Sequence, residues 1–283
     1  MIKPRALFHR WTSAPIEWVP CQRFTSFVLN VTHLVLPPGE LWFCRLFNQA
    51  LPLINDPALV SEVKAFIAQE GAHAKGHRSV LSCYESEGWN FTESQLRLNY
   101  LFNVMLGDAV LGKWRVRGPW VKRWLRMRIG MIAALEHITC ILGNWVIQNH
   151  ALAENNANPR MLNLLRWHGA EEVEHRTVAF DVYRHLGGSY VSRVLWFGPV
   201  LAVVLLTWKR GAQVFFKQDN SGPKRYGFRA YLKASNEGLL PSVGYLTQHC
   251  LRYLKFNYHP KTEGNYELAE GILKEFELSK THT

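Results

Sequence analysis

Residues 66–77 read Phe66-Ile67-Ala68-Gln69-Glu70-Gly71-Ala72-His73-Ala74-Lys75-Gly76-His77, and further on the chain reads Trp167-His168-Gly169-Ala170-Glu171-Glu172-Val173-Glu174-His175. Both stretches contain Glu-x-x-His, formed by Glu70 with His73 and by Glu172 with His175. Residues three apart share a helix face, so each motif presents a carboxylate and an imidazole in one direction. A lone glutamate in an apolar stretch precedes each motif: Glu40 before the first, Glu136 before the second. Four helices carrying these residues could aim four carboxylates and two imidazoles at one point. That is the ligand set of a two-metal carboxylate centre in a four-helix bundle.

The neighbours of these glutamates support a chemical reading. One turn either side of Glu40 stand Leu36, Pro37, Phe43 and Cys44; around Glu136 stand Ile132, Ala133, Thr139 and Cys140; before Glu70 stand Phe66 and Ile67. A surface glutamate commonly has a Lys or Arg at that spacing, and these have none. An uncompensated buried carboxylate costs on the order of several kcal/mol, so it must be protonated, paired or bound to metal. Four carboxylates balance two divalent cations, with neutral imidazoles completing the set. Carboxylate plus imidazole without thiolate suits iron first, with manganese or zinc as alternatives.

Each residue also has a plainer reading. Glu172 has Arg176 four residues on and could be a surface ion pair. Glu171 and Glu174 read as the solvated members of their acidic cluster. His77 follows His73 by four and His168 precedes Glu172 by four, so both share a ligand face, as supporting groups or extra ligands. Gln69 and Asp181 are candidates to orient ligand histidines. His33 and His137 read as structural.

The rest of the chain reads as helix. A first apolar segment, 23–36, is expected to stop at Pro37-Pro38-Gly39, with a new helix from Gly39 to about Ile54. Asp56-Pro57 is an N-cap followed by proline at the first helical position, opening a helix to about Glu87. Thr92 with Gln95 resembles a capping box for a helix toward Leu111. Gly118-Pro119 opens a helix to about His150, and Pro159 opens another to about Leu186, ended by Gly187-Gly188. No β-hairpin signal stands out. Residues 194–208 carry no charge, but at roughly 22 Å this stretch is shorter than a bilayer core of about 30 Å. It is expected to be a buried or membrane-surface helix. After Phe216 the chain turns polar and basic, with short helices to about Lys280.

The chain has 283 residues, 48% of them hydrophobic, and a net charge of +11. That is enough to bury a sizeable core and excludes a disordered chain. Between Lys113 and Arg128 lie seven basic residues and no acid, interleaved with Trp114, Trp120 and Trp124. This suits an anionic membrane surface or ligand, or else a solvated face with inward tryptophans; no nucleic-acid motif accompanies it. Five scattered cysteines without CxxC point to buried free thiols and a cytoplasmic compartment. Met1 to Pro15, with Arg5, His9 and Arg10, does not read as a signal peptide.

Pro38-Gly39-Glu40, the 66–77 stretch, Ala134-Leu135-Glu136-His137, the 167–175 stretch and Val178-Ala179-Phe180-Asp181-Val182-Tyr183 together resemble the bacterial family labelled predicted metal-dependent hydrolase. The resemblance covers roughly 23–260. It implies an all-α fold, a ferritin-like four-helix bundle with additional N- and C-terminal helices. The ligands it implies are Glu40, Glu70, His73, Glu136, Glu172 and His175, with Glu70 and Glu172 as bridging, catalytic carboxylates. The bundle is expected over 1–190, with a helical extension packing on or capping it over 191–283.

Three functional readings follow. The first is a di-iron oxidase or oxygenase acting with dioxygen on a small apolar or lipid-like substrate. The second is a two-metal hydrolase, in which metal-activated hydroxide attacks an ester, amide or phosphate. The third is a non-catalytic metal-binding bundle. The partners expected are an apolar or amphiphilic small molecule and the surface of an anionic membrane, with a homodimer as a further expectation and nucleic acid excluded.

Overall fold

The computed structural model describes residues 2–5 and 10–280, without the side chains of Ser279 and Lys280. His9, in the basic start of the chain, lies outside the described residues. The protein is all-α: α1 (Arg23–Ala50), α2 (Pro57–Ser86), α3 (Thr92–Asn99), α4 (Pro119–Gln148), α5 (Ala151–Glu154), α6 (Pro159–His175), α7 (Val178–His185), α8 (Tyr190–Gln218), α9 (Phe228–Asn236), α10 (Val243–Tyr253) and α11 (Tyr266–Lys280). One minimal antiparallel ribbon joins β1 (Ala109–Val110) to β2 (Trp114–Arg115).

Several start signals act as their chemistry dictates. The Asp56 carboxylate accepts from the amides of Ala58 and Leu59, with Pro57 at the first helical position. Asn158 does the same for Arg160 and Met161 ahead of α6. Gly187, at φ +83°, closes α7,.

Other boundaries differ from the sequence expectation. Pro37 and Pro38 do not stop a helix; both lie inside α1, which runs unbroken to Ala50. An interior proline costs about 3 kcal/mol. Burying a large apolar side chain returns about 1.5–3 kcal/mol, and α1 buries Leu34, Trp42, Phe43, Leu46 and Phe47 around the prolines. The expected helix from Pro159 to Leu186 is two helices, broken at Arg176-Thr177 directly after His175. The Thr92–Gln95 capping box does not form: the Thr92 amide is capped by Asn90, and the Gln95 amide donates to Glu85. α3 then passes into a π-helical turn, Tyr100–Met105, where the Leu106 amide donates to the Leu101 carbonyl. Gly107 follows, and a Cβ there would lie 2.3 Å from the Asn103 carbonyl oxygen. The ribbon was not expected. It turns on Leu111 and Gly112, both at positive φ, so only its glycine signals it in the sequence.

The chain divides into two compact units. The first comprises Met1–Arg10, Thr32–Leu135 and Thr177–Thr207. Its core joins α1 to α2 through Phe47 and Phe66, whose ring centroids are 4.7 Å apart. Trp42 packs on Phe102 and donates to the Leu106 carbonyl, and α7 packs against α2.

The second unit comprises Trp11–Val31, Glu136–Arg176 and Trp208–Thr283. Here α11 packs against α6. α4 and α6 meet backbone to backbone, because a Cβ on Gly143 would lie 2.7 Å from Gly169 Cα. The Tyr245 hydroxyl donates to the Ile141 carbonyl, tying α10 to α4.

Candidate metal centre

In the first unit, Glu40 on α1 and Glu70 and His73 on α2 are all buried. His73 Nδ1 lies 3.8 Å from Glu70 Oε1, as the i, i+3 spacing requires. Cys44, one turn after Glu40, reports on both acids. Its thiol pKa is pushed up to about 12 by burial, then by the charges of Glu70 and Glu40, while it donates to the Ile67 carbonyl. His77 is also buried, with its Nδ1 2.8 Å from His33 Nδ1. One ring of that pair must donate and the other accept, so His33, read from sequence as structural, fixes the tautomer of His77. Gln69 donates to the Lys3 carbonyl at 3.0 Å. Asp181 is half-buried on α7.

The second unit repeats the arrangement with Glu136 on α4 and Glu172 and His175 on α6, all buried. His175 lies between the two carboxylates, its Nδ1 3.1 Å from Glu136 Oε2 and its Nε2 3.8 Å from Glu172 Oε1. Glu172 is held on both oxygens: His168 Nε2 donates to Oε1 at 2.8 Å and the Thr139 hydroxyl donates to Oε2. Glu136 is raised to about 7, chiefly by burial and then by the nearby Glu172 charge, with His175 opposing. Cys140, one turn after Glu136, has its thiol pushed up by burial, with Glu172, Glu263 and Glu136 adding to the rise. His137 points the other way: it donates to the His249 carbonyl and accepts from the Tyr258 hydroxyl.

Two sequence readings change here. The Arg176 guanidinium donates to the carbonyls of Val173, Pro260 and Lys261 rather than closing a surface pair with Glu172. Glu171, expected in solvent, is buried, while Glu174 is only half-buried. Sequence reasoning named Thr139, Cys44 and Cys140 only as uncharged neighbours of the lone glutamates. The signal was present: Glu-x-x-x-Cys occurs at Glu40–Cys44 and again at Glu136–Cys140, so each lone glutamate carries a thiol on its own helix face.

The donor set fits a metal. Glu40, Glu70, His73, His168, Glu172 and His175 are buried members of groups whose ligand atoms lie close enough together to hold a metal ion; Glu136 is not among them. Imidazole nitrogens stand 3.1–3.8 Å from carboxylate oxygens in the pairs described, a spacing that one bound cation could bridge. The groups offer only oxygen and nitrogen donors, which suit hard or borderline cations, and burial pushes the thiols of Cys44 and Cys140 up. All five cysteines are free; Cys83 and Cys140 are buried, Cys44 and Cys250 half-buried and Cys21 exposed.

Comparison with curated proteins returns no match, and comparison with solved structures returns none. A protein family does match, over residues 3–264, a span that contains both Glu-x-x-His motifs and both lone glutamates; its description, predicted metal-dependent hydrolase, agrees with the donor set, and the chain belongs to that family.

Proposed function

We propose that the protein is a hydrolase that uses two divalent cations, with Glu40, Glu70 and His73 as the candidate ligands in the first unit and Glu136, Glu172 and His175 in the second. The observation that carries this reading is the duplication: each unit buries a lone glutamate and a Glu-x-x-His pair from consecutive long helices. The family description favours hydrolysis over the oxidative reading that the ligand types first suggest. Bound divalent cations would supply the acidity that activates water near neutral pH and the charge that stabilises a developing oxyanion. The chain's own groups do the rest. Glu70 and Glu172 would each hold a cation in their own unit, His168 and Thr139 fix the orientation of Glu172, and the raised carboxyl of Glu136 would have to release its proton to serve as a ligand,. The substrate class is an ester, amide or phosphate.

Dioxygen-dependent oxidation at two irons is the second reading. Its support is the donor chemistry, carboxylate and imidazole without cysteine, which suits iron. One experiment separates the two. Under strict anaerobiosis the manganese- or zinc-loaded protein should hydrolyse p-nitrophenyl acetate or p-nitrophenyl phosphate and stop when chelator is added. Oxygen uptake and a coloured species in the iron-loaded protein, with no hydrolysis of either compound, would transfer the assignment to oxidation.

A further inference from the structure

We propose that α8 lies in the plane of an anionic bilayer surface, with the β1–β2 ribbon and the first turns of α4 binding the lipid headgroups. The proposal starts from an inverted helix. Positions 191, 195, 198, 199, 202, 205 and 206 of α8 are exposed and recur as one helical stripe. A surface helix normally turns charge outward along such a stripe. Here it carries Val191, Leu195 (67% exposed), Leu205 (60% exposed) and Leu206, and only past them come exposed Lys209 and Arg210. Phe197 and Val200 are buried. α4 is similarly long and apolar, but 78% of its apolar window is buried, as in a core helix; for α8 the figure is 17%.

Charge selects the occupant. Neither 109–135 nor 182–218 contains an acid. Lys113, Arg115, Arg117, Lys122 and Arg123 are exposed, and so are Trp114 and Trp120, with the Arg123 guanidinium 4.7 Å from the Trp120 ring centroid. Tryptophan beside cations is the composition of the membrane–water interface. Buried Arg128 is turned inward, onto the carbonyls of Leu106 and Gly107 and onto Asp108. The basic turns of α4 border the start of α8. Arg126 donates to the Leu186 carbonyl, a Cβ on Gly130 of α4 would meet the Tyr183 ring at 2.8 Å, and the Tyr183 hydroxyl donates to the carbonyl of Ser189, the residue before α8. Apolar side chains flanked by cations fit an anionic lipid surface, and each basic residue near it adds attraction that salt screens.

The same features place the helix in the surface rather than across it. The charge-free stretch 194–208 spans roughly 22 Å against a bilayer core of about 30 Å. Arg193 is buried under the rings of Phe180 and Tyr190, and Phe197 and Val200 occupy the protein-facing side.

Flotation of the full chain with phosphatidylcholine vesicles, with and without phosphatidylglycerol, tests this without any turnover assay. The expected result is binding at low salt that needs the anionic lipid and weakens as salt rises. Two doubly substituted proteins, Leu195→Glu with Leu205→Glu and Lys122→Glu with Arg123→Glu, should each lose at least about tenfold in affinity. Phe256→Glu, which changes an apolar residue 80% exposed outside both segments, should bind like the parent. Circular dichroism shows that each variant has folded. Any of four results overturns the proposal: absence of binding to anionic vesicles at low salt; undiminished binding by both double variants; loss on Phe256→Glu instead; or parent protein that resists alkaline carbonate extraction, which would mean a spanning helix.

Discussion

At the scale of single residues the centre depends on what holds each carboxylate. Glu172 accepts from His168 and Thr139 on its two oxygens, so neither oxygen can swing without breaking a contact. Outer partners of this kind typically contribute about 10–100-fold to metal affinity. His168→Ala and Thr139→Val should each weaken binding within that range in a competitive chelator titration while leaving the helical circular dichroism intact; unchanged affinity in both would mean Glu172 is not a ligand. Glu136 gives a pH signature. Its carboxyl is raised from 4.5 to about 7 in the fold, so the unfolded chain releases that proton first. The stability tied to the neutral form is complete below the unfolded value and is lost as pH rises through about 7. The melting temperature of metal-free protein should therefore fall between about pH 5 and pH 8, and Glu136→Gln should flatten that slope. A metal-free melting curve that rises over the same interval would contradict the assignment.

At the scale of elements, the approach of α4 to α6 fixes Glu136 and Thr139 against Glu172 and His175. The contact has no room for side chains: a Cβ on Gly169 would lie 2.8 Å from Gly143 Cα. Gly169→Val should therefore cost about 1–3 kcal/mol or more, as is typical of overpacking, in denaturant unfolding, and should reduce metal content in the fraction that still folds. Normal stability in that variant would show that the two helices are not held in register there. The sequence made the helices and their ligand faces legible because apolar periodicity and the Asp56-Pro57 and Asn158-Pro159 starts are local signals. It misled where tertiary burial overrode local preference. Pro37-Pro38 reads as a stop, yet the aromatic core around Trp42 and Phe47 carries α1 through it. The break after His175 lacks a glycine or proline signal, and Arg176 there is engaged by the carbonyls of distant Pro260 and Lys261. The six ligand candidates could be read from spacing alone. Thr139 could not, since a threonine four residues after a leucine and three after Glu136 becomes meaningful only when α6 lies beside it.

At the scale of the whole molecule, the chain carries the same device twice, once in each unit. Each unit holds one lone glutamate and one Glu-x-x-His pair. Anything that binds the folded state and not the unfolded chain stabilises it, by about 2.7 kcal/mol at a hundredfold excess over Kd. Chelator treatment should consequently lower the melting temperature of the protein, with recovery on restoring the cation; a melting curve indifferent to metal would argue that the buried acids are structural. The most direct test of the centre is metal content per chain, measured by elemental analysis on the parent, Glu70→Ala and Glu172→Ala proteins purified side by side. Metal ligation by these glutamates predicts about two equivalents of divalent metal in the parent and loss of part of it in either variant, since each removes a ligand from one unit. Absence of metal from the parent after anaerobic loading, or full occupancy in both variants, would contradict it.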